Sequence, residues 1–310
     1  MVSVANGVEQ SQVTNNNETK TTHFKHNFPI PAYLVAIAVT DYQIYNQTAG
    51  SAPNTFPVVN YLYPENYNSS VSQLAVTLPI MDVFEELFGT YPYHTEKYGH
   101  AEFGWGGGME HTTVSFMGGF SRGLIAHELA HHWFGNKVTC GSWKDIWINE
   151  GFAEYMAGLV VEHLDGQNQF DSWKGGKINS ITSAPAGNVY LTDAQALDSD
   201  RIFSGRLTYN KGSMVVHMLR YVLGDEDFYQ GMRNFLNDPA IAYNYAVTTQ
   251  VKQHLEAASG KDLTEFFNDW IYGEGYPSYQ VNAEVVSATQ TKITLSQTSS
   301  HAGLSFFEMP

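Results

Sequence analysis

The spacing of apolar positions changes period twice along this chain. Over residues 1–67, segments rich in β-branched and aromatic residues at 2–4, 21–24, 33–39 and 58–63 are separated by clusters of Asn, Gly and Pro. That pattern predicts short strands joined by turns. A polar stretch at 10–20 reads as a low-complexity connection. From about Ser69 the period becomes helical. Val71, Leu74, Ala75, Leu78, Val83, Phe84, Leu87 and Phe88 form one stripe. Ser69 or Ser70 is its expected cap, Gly89 its end, and Pro79 its expected kink. Residues 101–120 read as extended and Gly-rich. Helical patterns then recur at 121–135, capped by Ser121, and at 143–164, 210–223, 225–236, 248–259 and 262–272. After Pro277 alternation returns, with Tyr279, Val281 and Val285, then 292–296.

These shifts divide the chain into three parts. Residues 1–67 read as the C-terminal strands of an N-terminal β-domain, 68–276 as a mainly helical unit, and 277–310 as the start of a further β-domain. The expected fold class is α+β, a helical domain flanked by partial β-domains. Because the pattern opens and closes within β-like segments, the chain reads as truncated at both ends.

Composition narrows the function. No apolar run approaches the ~18 residues of a membrane span. The net charge of -15, from 16 basic and 31 acidic residues, argues against nucleic acid, whose phosphates need a basic face. The one cysteine, Cys140, cannot form an intramolecular disulfide; it is either a small packing residue or a reactive thiol. The opening MVSVANGVEQ has no basic and apolar leader pattern. Low charge content, Asn- and Tyr-rich loops and a single cysteine lean towards an exported or periplasmic bacterial enzyme.

The chemistry concentrates at His127-Glu128-Leu129-Ala130-His131. On a helix, positions i and i+4 project from one face, one turn apart, which is the spacing two zinc ligands need. Glu128 lies beside such a metal, where it can take a proton from water. A catalytic zinc takes three protein ligands and keeps one position open. The third is expected from a second helix. Glu150, flanked by Trp147, Ile148 and Phe152, is the candidate, since a buried carboxylate needs a partner. Glu154 lies four residues further on the same face. It either orients a ligand imidazole or is a solvated carboxylate. His132 points about 100° away from His131 and reads as structural.

HELAHHWFGN, followed by WINEGFAEY with eighteen residues between His131 and Glu150, resembles the M1 aminopeptidases, a gluzincin family. GGMEHTTVSF at 107–116 resembles that family's exopeptidase motif, written GAMEN. TYNKGSMVVHML at 208–219 resembles the segment carrying its catalytic tyrosine. The resemblance implies a thermolysin-like catalytic domain between β-domains and one Zn2+ per chain held by His127, His131 and Glu150. It also implies Glu128 as the base, Tyr209 as the oxyanion donor and peptides with a free N-terminus as substrates. Glu110 would pair with the substrate's α-amine, and Gly107, Gly108 and Met109 would offer backbone to the peptide. By sequence alone Tyr209 is one of 19 tyrosines. The motif departs from the family at His111, which stands where Asn is usual. It either changes how the amine end is read or is a tolerated hydrogen-bonding substitute. The rival functions are a zinc endopeptidase, for which Glu110 would matter little, and a zinc-containing module without catalysis.

Overall fold

The structure, a computed structural model, describes residues 1–308 and is α+β. The chain opens with β1 (Val2–Ala5), β2 (Val8–Thr14) and β3 (Lys20–Lys25), and β2 pairs antiparallel with β3. The polar stretch at 10–20 is therefore largely hairpin. Its residues are exposed on both faces, so burial wrote no alternation into them. The expected strand at 33–39 is also corrected. After Pro31 a single helical turn, Ala32–Leu34, turns Leu34 inward, and only β4 (Ile37–Thr40) is strand, paired with β1.

β5 (Gln43–Ala49) and β6 (Phe56–Leu62) lead into two helices, α1 (Tyr67–Leu74) and α2 (Thr77–Phe88). The apolar stripe at 69–88 thus breaks at Ala75–Val76, not at Pro79. Pro79 lies in the first turn of α2, where the N–H it lacks would have no intrahelical partner. Neither Ser69 nor Ser70 is a cap, since both lie inside α1. Gly89 does end α2, with φ +92°.

β7 (Tyr98–Glu102), β8 (Gly108–Met109) and β9 (Ser115–Met117) complete a five-stranded sheet in the order β5-β6-β7-β9-β8. β6, β7 and β9 run parallel, while β5 and β8 are antiparallel edges. The sheet draws its strands from both sides of residue 67.

Helices cover the sheet. α3 (Arg122–Ala130) is capped by Ser121, whose Oγ accepts from Leu124 N at 3.4 Å. After β10 (Val138–Cys140) and the turn Trp143–Asp145 comes α4 (Trp147–Asp165). Residues 147–153 of α4 are buried on every side, as expected of a helix at the centre of a domain. Phe152 stacks on Phe134 of the turn after α3, with centroids 4.3 Å apart. α5 (Gln167–Ile181) is a helix the sequence pattern does not announce. It carries Gly175 and Gly176, and only Phe170 and Ile181 are buried. α6 (Ser199–Ile202) precedes a wide, π-type turn, Gly205–Lys211, that runs into α7 (Gly212–Leu223).

α8 (Asp225–Asn237), β11 (Asn244–Ala246), α9 (Thr248–Ser259) and α10 (Thr264–Phe267) complete the helical part, and β11 pairs parallel with β10. β12 (Pro277–Ser287) and β13 (Gln290–Ser299) form a long exposed hairpin. No helix among the described residues is long and apolar enough to cross a membrane.

Candidate metal centre

α3 crosses α4, and the crossing brings four side chains together. His127 Nε2 and His131 Nε2 lie 3.1 Å apart. Glu150 Oε2 is 3.3 Å from the first and 3.2 Å from the second. The other nitrogen of each ring is already committed. His131 Nδ1 donates to the Phe134 carbonyl at 3.1 Å, and His127 Nδ1 donates to Glu154 Oε2 at 3.1 Å. In the neutral rings both Nε2 atoms are then lone pairs, facing one another and a carboxylate. Three converging electron pairs repel unless a cation lies between them. Ligands on a tetrahedral zinc with bonds of ~2.0–2.1 Å are about 3.3 Å apart, so the donor set fits that ion.

The electrostatics point the same way. Burial alone would raise the Glu150 carboxyl, but the imidazoles of His131 and His127 hold it well below the usual carboxylate range. Burial would depress His131, yet Glu150 and Glu110 raise it to about 9. The pocket draws positive charge. Glu154 would also be raised by burial; His127 and Lys177 bring it down to about 2. Lys177, from α5, donates to Glu154 and sits 5.0 Å above the Trp173 ring.

Glu128 lies on the same turn, its carboxyl pushed up to about 7 chiefly by burial, with the two imidazoles opposing. A Cβ at residue 108 would come 2.5 Å from Glu128 Oε1. Only glycine at Gly108 lets edge strand β8 lie against this carboxylate. Glu110, Glu128 and His131 each offer an atom within 4.8 Å of the others. Tyr209 stacks on the His127 ring at 5.7 Å, and burial followed by Glu150 raises its phenol far above the ordinary value, so it stays a donor.

These groups stand at the waist between two cavities. One, of about 750 Å³, is lined by Tyr33, Met109, Glu110, Cys140, Trp143, Phe203 and Tyr245 among others. The second, of about 610 Å³, is lined by Gly107, Arg122, Leu124, Glu154 and Trp173 among others. Gly108, His127, Glu128 and Tyr209 border both.

The metal-binding, catalytic and substrate-binding residues expected from the sequence therefore all border these two cavities, and Glu154 bonds His127. Cys140 lines the first cavity with its thiol pushed up to about 12 by burial and then Asp145, which keeps it protonated. His132 turns into the core, bonded to Tyr91 at 2.9 Å. Sequence reasoning missed Tyr33, Lys177 and Asn136. Asn136 Nδ2 donates to the Glu110 carbonyl at 2.7 Å. Its place within HELAHHWFGN was the available signal; Tyr33 and Lys177 carry none.

Residues 121–270 match the family model described as the peptidase family M1 domain. Probable aminopeptidase 2 of Sulfurisphaera tokodaii is 35% identical over 182 residues, 56% of this chain and 22% of that protein. Human glutamyl aminopeptidase is 28% identical over 314 residues, 93% of this chain and 32% of that protein. The chain thus spans about a fifth to a third of the length of these curated relatives. In fold it is similar to an M1 zinc metallopeptidase from Deinococcus radiodurans crystallised with a Tyr-Ser-Ala substrate. The TM-score is 0.75 at 22% identity, covering 89% of this chain and 62% of that one. The matched segment runs from the cap of α3 through the crossing with α4 and the turn bearing Tyr209 to residue 270, and over these residues the chain is similar to the peptidase family M1 domain.

Proposed function

We propose that this chain carries the catalytic centre of a zinc aminopeptidase, which removes residues one at a time from peptides with a free N-terminus. One observation carries the reading. His127 Nε2, His131 Nε2 and Glu150 Oε2 converge at 3.1–3.3 Å, while both Nδ1 atoms already donate elsewhere.

His127, His131 and Glu150 hold the metal, and Glu154 fixes the tautomer and tilt of His127. Zinc held there would supply a Lewis acid for the scissile carbonyl and would lower the pKa of water. Glu128 takes the proton of the attacking water onto a carboxylate oxygen and returns it to the leaving amine nitrogen. One group serves both transfers, because a carboxylate accepts the proton and the carboxyl it becomes donates it. The Tyr209 phenol donates to the carbonyl oxygen as charge develops there, and a donor of this kind is worth about 10²–10³ in rate. Glu110 pairs with the α-ammonium at the end of the first cavity. Gly108 and Met109 on edge strand β8, with Gly107 just before it, leave backbone groups for an extended peptide. The leaving part of the substrate occupies the second cavity.

The test is zinc content by mass spectrometry together with hydrolysis of aminoacyl amides bearing free or acetylated amines, alongside Glu128→Gln. Cleavage confined to the free-amine set and lost in the variant supports the reading. Cleavage of the acetylated set makes the chain an endopeptidase. Turnover that survives Glu128→Gln removes the base.

A further inference from the structure

Tyr33 reaches the centre from 77 residues before Glu110, and its hydroxyl donates to Glu110 Oε1 at 3.1 Å. The turn that carries it is bolted in place. The Leu34 carbonyl accepts from Asn6 Nδ2 at 3.0 Å and from His111 Nδ1 at 3.1 Å. A carbonyl only accepts, so His111 carries its hydrogen on Nδ1. The same Asn6 amide donates to the Thr112 carbonyl at 2.7 Å, and its oxygen accepts from Ala36 N at 2.8 Å. The residues that follow Tyr33 are thereby tied to the residues that follow Glu110. Tyr33 stays 41% exposed on the wall of the 750 Å³ cavity.

A phenol has one hydrogen and two lone pairs. The hydrogen of Tyr33 goes to Glu110, and a lone pair remains for an incoming donor. Among the described residues no group donates to Glu110 Oε2, although Glu110 is only 6% exposed. Two acceptors, one charged and one neutral, thus stand side by side at one end of the cavity. An ammonium group offers three donors. An acetylated amine offers one N–H and no charge.

We propose that Tyr33 is a second recognition residue for the substrate's α-ammonium, and that His111 is a positioning residue that holds Tyr33 against Glu110. The inference rests on the aminopeptidase reading of the site. One ammonium N–H goes to Glu110 Oε2 and another to the Tyr33 oxygen. An acyl group on that nitrogen would remove its charge and leave it one donor for the two acceptors.

The experiment measures binding of leucinamide and N-acetyl-leucinamide by titration calorimetry. It uses the zinc-loaded Glu128→Gln chain, alone and combined with Tyr33→Phe, His111→Ala or His111→Asn. A hydrogen bond from a charged donor corresponds to roughly a ten-fold change or more in affinity. Tyr33→Phe is expected to weaken leucinamide about ten-fold and to leave the acetylated ligand unchanged. His111→Ala is expected to do part of this, and His111→Asn, which can still donate to Leu34, to restore it. In the chain with Glu128 intact, Tyr33→Phe is expected to raise KM and spare kcat. Unchanged leucinamide binding in Tyr33→Phe, at equal zinc content, overturns the proposal. So does an equal loss for both ligands. Tyr33-dependent binding by a chain whose Glu128 form cleaves nothing would keep the amine site and sink the peptidase reading instead.

Discussion

Gly151 and Gly212 face one another where α4 meets the start of α7. A Cβ on Gly151 would lie 3.0 Å from the Gly212 carbonyl carbon and 3.1 Å from its Cα. The contact joins the residue after Glu150 to the residue three beyond Tyr209. It is backbone against backbone, so no rotamer change can relieve an added methyl. Gly151→Ala gains ~1 kcal/mol of helix propensity and meets an overpacking cost of ~1–3 kcal/mol. A net loss of about 1 kcal/mol is expected, lowering Tm by about 1–2 °C. Turnover is expected to fall further than that stability loss accounts for, because Tyr209 is pushed away from Glu150. Calorimetry and steady-state kinetics on the same preparation check this. A variant with normal kcat would show that the glycine contact does not set the position of Tyr209.

Chelation should lower stability as well as activity. A metal bound to the folded chain only contributes RT ln(1 + [L]/Kd), about 4 kcal/mol at a thousand-fold excess over Kd. Thermal unfolding with and without a chelator, followed by zinc addition, measures it. A Tm that stays put while bound zinc is demonstrably lost would mean the donor triad of His127, His131 and Glu150 holds nothing in the folded state.

Glu154 acts through His127, so its removal should appear first in metal affinity. Glu154→Gln keeps the shape but replaces a charged acceptor, and a loss of 10–100-fold in zinc affinity is expected. Lys177→Met, which strips the cation from Glu154, is expected to change affinity in the same direction by less. Competition with a chromophoric chelator reads both. Wild-type affinity in Glu154→Gln would leave the 3.1 Å contact as packing alone.

Away from the centre, Glu96 accepts from Asn27 N at 2.7 Å and bonds His26 Nδ1 at 2.6 Å. Burial opposes ionisation of Glu96, but the bonds to His26 and Asn27 outweigh it and the carboxyl is lowered below its usual 4.5. A carboxyl whose folded pKa is depressed contributes stability that is present above the unfolded value and lost as pH falls through the folded one. Glu96→Gln is therefore expected to flatten the fall of Tm below pH 4.5. A pH profile that keeps its slope in the variant would assign the acid sensitivity to other carboxylates.

Much of the centre was legible because helical direction is local. The spacing of His127 and His131 puts them on one face whatever the helix packs against, and the apolar flanks of Glu150 mark it as buried before any partner is known. The helices themselves were legible where one stripe is buried, as in α2 and α7. Where little is buried the pattern is silent, so α5 was missed and β2 was taken for a polar connection. The helical period also could not tell one bent helix from two, because Ala75 and Val76 continue the stripe through the break.

The sequence by itself determined the chemical inventory: two imidazoles one turn apart, a carboxylate beside them, a second carboxylate after eighteen intervening residues, and a pair of glycines beside Met109 and Glu110. Only the tertiary structure decided what those groups meet. The distance from Glu150 to the imidazoles depends on how closely α3 and α4 cross. The stacking of Tyr209 on His127 joins the turn at 205–211 to α3, 82 residues apart in the chain. The bond from Tyr33 to Glu110 spans 77 residues. Such pairings depend on how whole elements pack, which no period along the chain encodes, and Tyr33 and Lys177 therefore stayed invisible until the fold brought them to the site.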